Sequence, residues 1–391
     1  MSVQLNEICE LIVDCPHSTA TDEGAGYPLI RTPNIGPGYF NLEGVHRVSK
    51  AAYDKRNLRA IPRPNDLILA REAPAGNVAI IPDGAEFCLG QRTVLIRPDA
   101  SKVYPLFLNY YLNAPEQRHK LLRNANGATV SHVNMPIIRN LSVDLPSVEA
   151  QKRIASILGA YDALIENNRK QIKLLEEAAQ RLYKEWFIDL RFPGHETATI
   201  DPQTELPEGW SRSALGSFAH VVMGQSPKSE YYNNEQRGMP FHQGVASYGF
   251  RFVVDHTYTE HAPKIGEAGS ILFSVRAPVG RINLTRSEIA IGRGLSAINH
   301  KNGLQGLLLY RLKNRFFKDN LVGNGSIYSA VSKDELLQTQ FVIAPSAIEE
   351  EFDRLVAPIN SKIDALDKSC IIASEARDRL LPIFMGGEIE I

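Results

Sequence analysis

Arginine can bond a guanine edge through two hydrogen bonds, and asparagine or glutamine an adenine edge, whereas lysine mostly meets phosphate. This chain gathers such side chains in its turns. Arg31, Arg71 and Arg92 stand in its first part, followed by Asn126 and Thr129 of NGATVSHV. Its second part has Gln225, Ser226 and Lys228 of GQSPKS, then Arg276, Arg281 and Arg293, then Asn324, Ser326 and Tyr328 of NGSIYSAV. The chemistry these offer is recognition. Patterns for catalysis are missing: the sequence has no P-loop, no H-E-x-x-H, no G-x-S-x-G and no Asn/Asp-Pro-Pro-aromatic tetrad of an amino methyltransferase. GRGLSA at 292–297 fits G-x-G-x-x-A but opens no helical pattern, so it is not read as a dinucleotide site. Two residues after Glu86 stands Cys88, where a metal-dependent nuclease would want lysine, and His242, His256 and His261 are not spaced as one ligand face.

These turns recur because the chain repeats itself. DLILAREAPAGNVAI at 66–80 is echoed by SILFSVRAPVGRINL at 270–284. Pro28 matches Pro240, Gly90 matches Gly292, Asn126-Gly127 matches Asn324-Gly325 and Pro146 matches Pro345, in unbroken order. An ordered series with a slowly drifting offset of about 200 residues marks a duplicated domain and not a solenoid. Each copy is rich in Gly and Pro, with short apolar runs such as LILA, TVLIRP, ILFSV and FVIAP that read as strands. YPLFLNYYLN and LQGLLLYRLKNRFF read as helices among them. The Ala-Pro-x-Gly turn is expected to be shared scaffold, and the unshared neighbours, Glu72 opposite Arg276 and Asn77 opposite Arg281, to carry the difference between the copies.

After each copy the period changes to that of a helix. Leu158, Ile165, Ile172, Ala179 and Trp186 fall at heptad position a, with Ile154, Tyr161, Asn168, Leu175 and Leu182 at d. The second helix carries Phe352, Ile359, Leu366, Ala373 and Leu380 in one series and Val356, Ile363, Cys370, Arg377 and Phe384 in the other. The pairing core is therefore expected from Ile154, Leu158, Tyr161, Ile165, Ile172, Leu175, Leu182, Trp186, Phe352, Ile359, Ile363, Leu366 and Leu380. Ser147 suits the first N-cap. Pro358 is expected to kink or divide the second helix and Pro382 to close it. Residues 191–206 read as a polar linker.

Bulk properties narrow the class. With 391 residues, 43% hydrophobic, the chain can build two or three cores. No apolar run approaches a membrane span and the N-terminus lacks a signal peptide, so a soluble cytoplasmic protein is expected. The four cysteines show no C-x-x-C spacing, which points to reduced thiols and against structural zinc. Net charge is −1, yet residues 207–345 carry +5 and residues 346–391 carry −5.

A globular segment, then LPSVEAQKRIASILGAYDALIENNRKQIKLLEEAAQRLYKEWF, then PEGW and a terminal RDRLLPIFMGGEI resemble the specificity subunit of type I restriction-modification systems over essentially the whole chain. The resemblance implies an α+β fold, with two similar α/β-mixed target-recognition domains (1–147 and 207–345) separated by a pair of long antiparallel coiled-coil helices (148–190 and 346–386), the linker being 191–206. It implies double-stranded DNA with a bipartite site as ligand, two methylation subunits as partners, and restriction subunits in the larger assembly. No active site, cofactor or metal is then expected in this chain. S-adenosylmethionine, ATP and magnesium belong to the partner subunits. The near-neutral first domain implies that the methylation subunits supply much of the positive surface. A protein-binding scaffold that dimerises through its helices is the competing reading, and a self-sufficient enzyme is a third. On the first reading, inserting four residues near Gln171 adds about 6 Å of helix. Methylation mapping should then show a longer spacer between two unchanged half-sites, and an unchanged spacer tells against it.

Overall fold

A computed structural model describes residues 2–72, 74–123, 132–316 and 330–386. Asn126, Thr129, Asn324, Ser326 and Tyr328 lie outside the described residues. The chain forms two compact units, Met1–Asn168 with Ser369–Ile391, and Arg169–Lys368. Each of the two long helices therefore gives one half to each unit.

In the first unit the strands are β1 (Cys9–Asp14), β2 (Tyr27–Ile30), β3 (Arg47–Val48), β4 (Leu67–Ala70), β5 (Val78–Ile80), β6 (Cys88–Leu89) and β7 (Thr93–Pro98). These form two sheets, in the orders β1-β7-β4-β5 and β3-β2-β6, and a further antiparallel pair joins Ser2–Gln4 to Ser142–Asp144. LILA becomes β4, a central strand with every residue buried, which is why its sequence is a continuous apolar run without alternation. The β4–β5 hairpin turns back through Gly76 at φ +89°, a conformation that glycine adopts without steric penalty. Helix α1 (Pro105–Asn113) covers this sheet and buries Phe107, Leu108, Tyr111 and Leu112.

The long helix α2 (Val148–Phe187) starts where Ser147 Oγ accepts the Ala150 N–H at 3.2 Å. The second unit repeats the plan with β8 (Ala219–Met223), β9 (Tyr232–Asn233), β10 (Met239–His242), β11 (Tyr258–Thr259), β12 (Ile265–Gly266), β13 (Ile271–Ser274), β14 (Ile282–Leu284), β15 (Ile289–Ile291) and β16 (Leu295–His300). Its two larger sheets run β8-β16-β13-β14 and β9-β11-β10-β15-β12, and Ser211–Ala214 pairs antiparallel with Gln340–Ile343. Helix α3 (Gln305–Phe316) takes the place of α1, and the second long helix is α4 (Ser346–Gly386). The duplicated stretch read from the sequence is thus one hairpin built twice, with Leu69 opposite Val78 and Phe273 opposite Ile282.

Within the first unit α2 and α4 run antiparallel. Asn168 donates to Ser369 Oγ at 3.0 Å, the Cys370 thiol faces the Ile165 carbonyl, and the Arg377 guanidinium bonds Asp162 at 2.5 Å. Tyr161 and Ile165 form a small cluster there with Cys370 and Ala373. In the second unit Ile172 and Leu175 cluster with Ile359, Ile363 and Leu366. The outer positions do something else. Ile154, Leu158 and Leu380 join the core of the first unit, and Leu182, Trp186 and Phe352 join that of the second. A helix pressed against both its twin and a domain must keep an apolar face for each, so the heptad list mixes a seam with two domain cores.

Two expectations are corrected. Helix α4 is neither divided at Pro358 nor closed at Pro382. Proline's fixed φ is helical, and the lost hydrogen bonds belong to the carbonyls of Arg354 and Asp378, which like the two prolines are exposed residues where water can serve. The continued turn carries Phe384 and Met385 into the first unit's core. The 191–206 stretch is also no bare linker. Ile200–Asp201 pairs with Leu206–Pro207, and Phe192 packs on Trp210 with ring centroids 4.9 Å apart.

Polar anchors fix each unit to its helix halves. The Tyr110 hydroxyl donates to Asp162 at 2.5 Å, and burial together with that carboxylate pushes the phenol pKa up, so the donor stays protonated. Tyr310 does the same to Asn360 at 2.8 Å. Arg311, fully buried, bonds Glu349 at 2.5 Å, and Glu349 also accepts the Ala344 N–H. Arg251 reaches Glu176 and Asn360 together. Phe352, also fully buried, lies edge-on to Tyr183, Trp186 and Phe187. Phe352→Ala should therefore cost the second unit about 3–5 kcal/mol in urea unfolding. Ile372→Ala, at a site 66% exposed on the same helix, should change stability by less than about 0.5 kcal/mol.

Candidate nucleic-acid interface

The repeated hydrogen bonds fix which residues correspond. Strand β2 runs parallel to β6 and β10 parallel to β15. At their ends Gly90 N donates to the Ile30 carbonyl and Gly292 N to that of His242, both at 2.8 Å. Arg31 and Gln243 therefore hold one position, and Gln91 and Arg293 another. Both glycines are required by close approach: a Cβ on Gly90 would lie 2.4 Å from Ile30 O, and one on Gly292 would lie 2.5 Å from Gln243 Oε1.

In the second unit these positions open onto solvent. Gln243 and Arg293 form a wall common to two adjoining concavities of about 210 and 490 Å³. Arg276 and Ser274 line the smaller one, and Ser226, Tyr232, His256 and Thr257 the larger. Ser226 Oγ contacts Gln243 Oε1 at 2.7 Å and accepts from Arg293 N at 3.2 Å and Arg293 Nε at 3.4 Å. Behind Gln243, the buried His242 ring is held between Ser247 Oγ at 2.8 Å and Asp255 at 2.9 Å. Burial depresses the His242 pKa against the opposing pull of Asp255.

The first unit fills the matching place with a closed polar cluster. Arg71, only 6% exposed, bonds Asp14 at 2.7 Å, His132 at 2.8 Å and the Val133 carbonyl at 2.9 Å. Glu72 faces His132 at 2.5 Å and Arg92 at 2.9 Å. The equivalent bonds of Arg71 N to Arg92 O and Val275 N to Gly294 O, and of Val133 N to Arg71 O and Val331 N to Val275 O, show what replaces them. Arg71 becomes Val275, Glu72 becomes Arg276 and His132 becomes Ala330. Glu72 opposite Arg276 is thus a difference in construction, with carboxylates locking arginines in one unit and an exposed arginine in the other.

The sequence-predicted residues divide accordingly. Ser226, Arg276 and Arg293 come together on one surface of the second unit. Gln225, Lys228 and Arg281 are exposed near it in sequence, the Gln225 backbone bonding the Ile291 carbonyl and the Arg281 backbone bonding Ser274 Oγ. Arg92 is exposed, in the left-handed region at φ +63°, and held by Glu72. Arg31 is half-buried, its Cγ close beside Gly90. Arg71 is turned inward and serves the scaffold, held there by charge-assisted hydrogen bonding to the half-buried Asp14 and by His132 and the Val133 carbonyl. Asn77 is buried too and bonds the Ile35 carbonyl at 2.9 Å. Gln243 and Tyr232 join this surface without a motif of their own in the sequence, and His256, set aside as a metal ligand, lines it as well. The match of Pro28 with Pro240 carried the signal for Gln243, since it sets Arg31 of PLIR against Gln243 of PFHQ.

Among the described residues no group of His, Cys, Asp and Glu could hold a metal ion, and no helix is long and apolar enough to cross a membrane.

The family profile described as type I restriction modification DNA specificity domain matches residues 1–177. The provisionally named type I restriction enzyme MjaX specificity subunit of Methanocaldococcus jannaschii is 29% identical over 398 residues, covering 99% of this chain and 93% of its own. The MjaIX specificity subunit of the same organism is 27% identical, with the same coverage of 99% and 93%. The solved type I restriction-modification S subunit from M. genitalium shares the fold at a TM-score of 0.59 and 15% identity, over 98% of this chain and 95% of that one.

Gly292→Ala should lower the second unit's stability by about 1–3 kcal/mol in thermal unfolding, because the backbone of Gln243 has to move. Gly244→Ala, where a Cβ meets nothing within 4 Å, should change it by less than about 0.5 kcal/mol.

Proposed function

We propose that this chain, similar over nearly its whole length to type I restriction-modification specificity subunits, reads a bipartite site on double-stranded DNA, one half-site per recognition domain. The reading takes 1–147 and 207–345 as those domains and 148–190 and 346–386 as the helical spacer. Two methylation subunits dock on the complex and restriction subunits join the larger assembly, in the cytoplasm. The chain performs no catalytic step itself. S-adenosylmethionine, ATP and magnesium act in the partner subunits.

One observation supports this best. A single scaffold is built twice, and at equivalent turns the two copies carry different hydrogen-bonding side chains: half-buried Arg31, Gln91 and Glu72 in the first against exposed Gln243, Arg293 and Arg276 in the second. A protein scaffold needs no such contrast. A reader of two unlike half-sites does, because base edges are told apart by their donor and acceptor patterns. The second domain's charge of +5 suits phosphate contact, which supplies affinity without sequence preference.

The deciding experiment replaces residues 207–345 with the corresponding domain of another specificity subunit and maps methylated sites with the cognate methylation subunits. One half-site should change and the other stay. Change in both, or in neither, rules the reading out. A finer prediction concerns Lys228, whose side chain is 79% exposed. Lys228→Ala should lower the slope of log affinity against log salt by about 0.9 while leaving base preferences as they were.

A further inference from the structure

We propose that Gln243 and Arg293, oriented through Ser226, are the base-reading pair of the second recognition domain, Gln243 directed to an adenine edge and Arg293 to a guanine edge. Arg31 and Gln91 hold the same two places in the first. The proposal rests on the DNA-reading function above and names the residues that execute it.

The hydrogen bonds around Ser226 carry the argument. Its oxygen already receives the backbone N–H and the Nε–H of Arg293, at 3.2 and 3.4 Å. The hydroxyl hydrogen is left for Gln243 Oε1, 2.7 Å away. A serine that accepts twice and donates once therefore determines which way the Gln243 amide faces, with Oε1 against the hydroxyl and Nε2 on the other side. Oε1 keeps a second lone pair for the adenine N6 amino group, and Nε2 donates to N7, the pairing that distinguishes adenine in the major groove. Arg293, anchored through Nε, keeps both terminal nitrogens for guanine O6 and N7. A pre-oriented donor and acceptor set loses little conformational freedom on binding.

The repeat supplies independent support. Gly90 and Gly292 are both bare where the neighbouring strand end passes against them, a Cβ meeting Ile30 O at 2.4 Å and Arg31 Cγ at 2.9 Å in the first copy and Gln243 Oε1 at 2.5 Å in the second. Both copies thus set one long polar side chain at the same point, beside a second at 91 or 293. The types are exchanged, Arg with Gln in the first copy and Gln with Arg in the second. Gln91 is also steered by a hydroxyl, donating from Nε2 to Thr19 Oγ1 at 3.0 Å. Two copies with the same pair of side chains in opposite order are built for the same two purines in different arrangement.

The test uses the full chain assembled with its methylation subunits, a randomised DNA library and S-adenosylmethionine, with sequencing of the methylated products. Gln243→Ala should relax preference at one A·T pair of the second half-site by about 10- to 100-fold. Arg293→Lys, which keeps the charge and loses the two-pronged geometry, should relax one G·C pair by a similar factor. Ser226→Ala should partly relax the A·T position that Gln243→Ala relaxes, and Ser226→Thr should restore it. The first half-site should be unaffected throughout. Uniform loss of methylation across all sequences in Gln243→Ala and Arg293→Lys would show phosphate contacts and overturn the proposal, as would retention of every base preference. A wild-type complex that marks no split sequence overturns the function and this proposal together, whereas unchanged preferences in the variants beside a normal wild type overturn this proposal alone.

Discussion

The long helices α2 and α4 can exist only while their apolar faces are covered from end to end, and most of the structure follows from how that is achieved. Forty residues of helix gain little net stability from backbone hydrogen bonds in water, so side-chain burial must hold them. Neither helix buries its whole length against the other alone. Ile165 and Ile172 face α4, but Ile154 and Leu158 lie in the first unit's core and Trp186 and Phe187 in the second's. The helix ends therefore have the shape that a folded domain requires, and each domain completes its core only with helix residues. Asn168, buried and bonded to Ser369, adds a polar condition on register, since a slip by one residue would bury its amide unpaired.

Polar side chains then position each unit on its helix halves. Tyr110 on Asp162 and Tyr310 on Asn360 are the same anchor in two copies, the partner changed from carboxylate to amide. The second unit adds more. Arg251 spans Glu176 and Asn360, while Arg286 reaches Asp364 and Asp367, both at 2.7 Å, with its guanidinium 3.6 Å over Phe252. Several positive charges of the +5 segment are consumed this way, and Arg311 is another. Net charge by segment therefore overstates what is left for DNA. The exposed remainder, Arg276, Arg293 and Lys228 among it, is smaller.

A duplicated reader has to keep what builds it and vary what it reads. The hairpins β4–β5 and β13–β14 share their turns, and the parallel pairs β2–β6 and β10–β15 share their bond pattern. On that common frame the first unit sets a closed network of Asp14, Arg71, Glu72, His132 and Arg92. The second sets Val275 and Ala330 at two of those places and exposes Arg276. An ion network of this kind gives a rigid surface because its members are held by charged hydrogen bonds. An open arginine with neighbouring concavities gives a surface that a ligand can complete.

The duplication, the strands, the two long helices and the inner seam positions were legible in the sequence, because each depends on local periodicity or on one stretch echoing another, whereas the outer heptad positions joined the domain cores. LILA reads as a buried strand and Ile165 as a seam residue from their spacing alone. Tertiary structure decided the rest, through contacts between residues far apart in the chain. It turned Arg71 inward, because Asp14 and His132 arrive beside it from 57 and 61 residues away. It let α4 run through Pro358 and Pro382, since those positions fall on exposed faces where the orphaned carbonyls meet water. It also set Gln243 beside Arg293 through Ser226, 17 and 67 residues off in sequence. Periodicity shows which face of a residue is covered, but which distant charge or hydroxyl stands next to it depends on how the strands cross, and that is settled only when the chain folds.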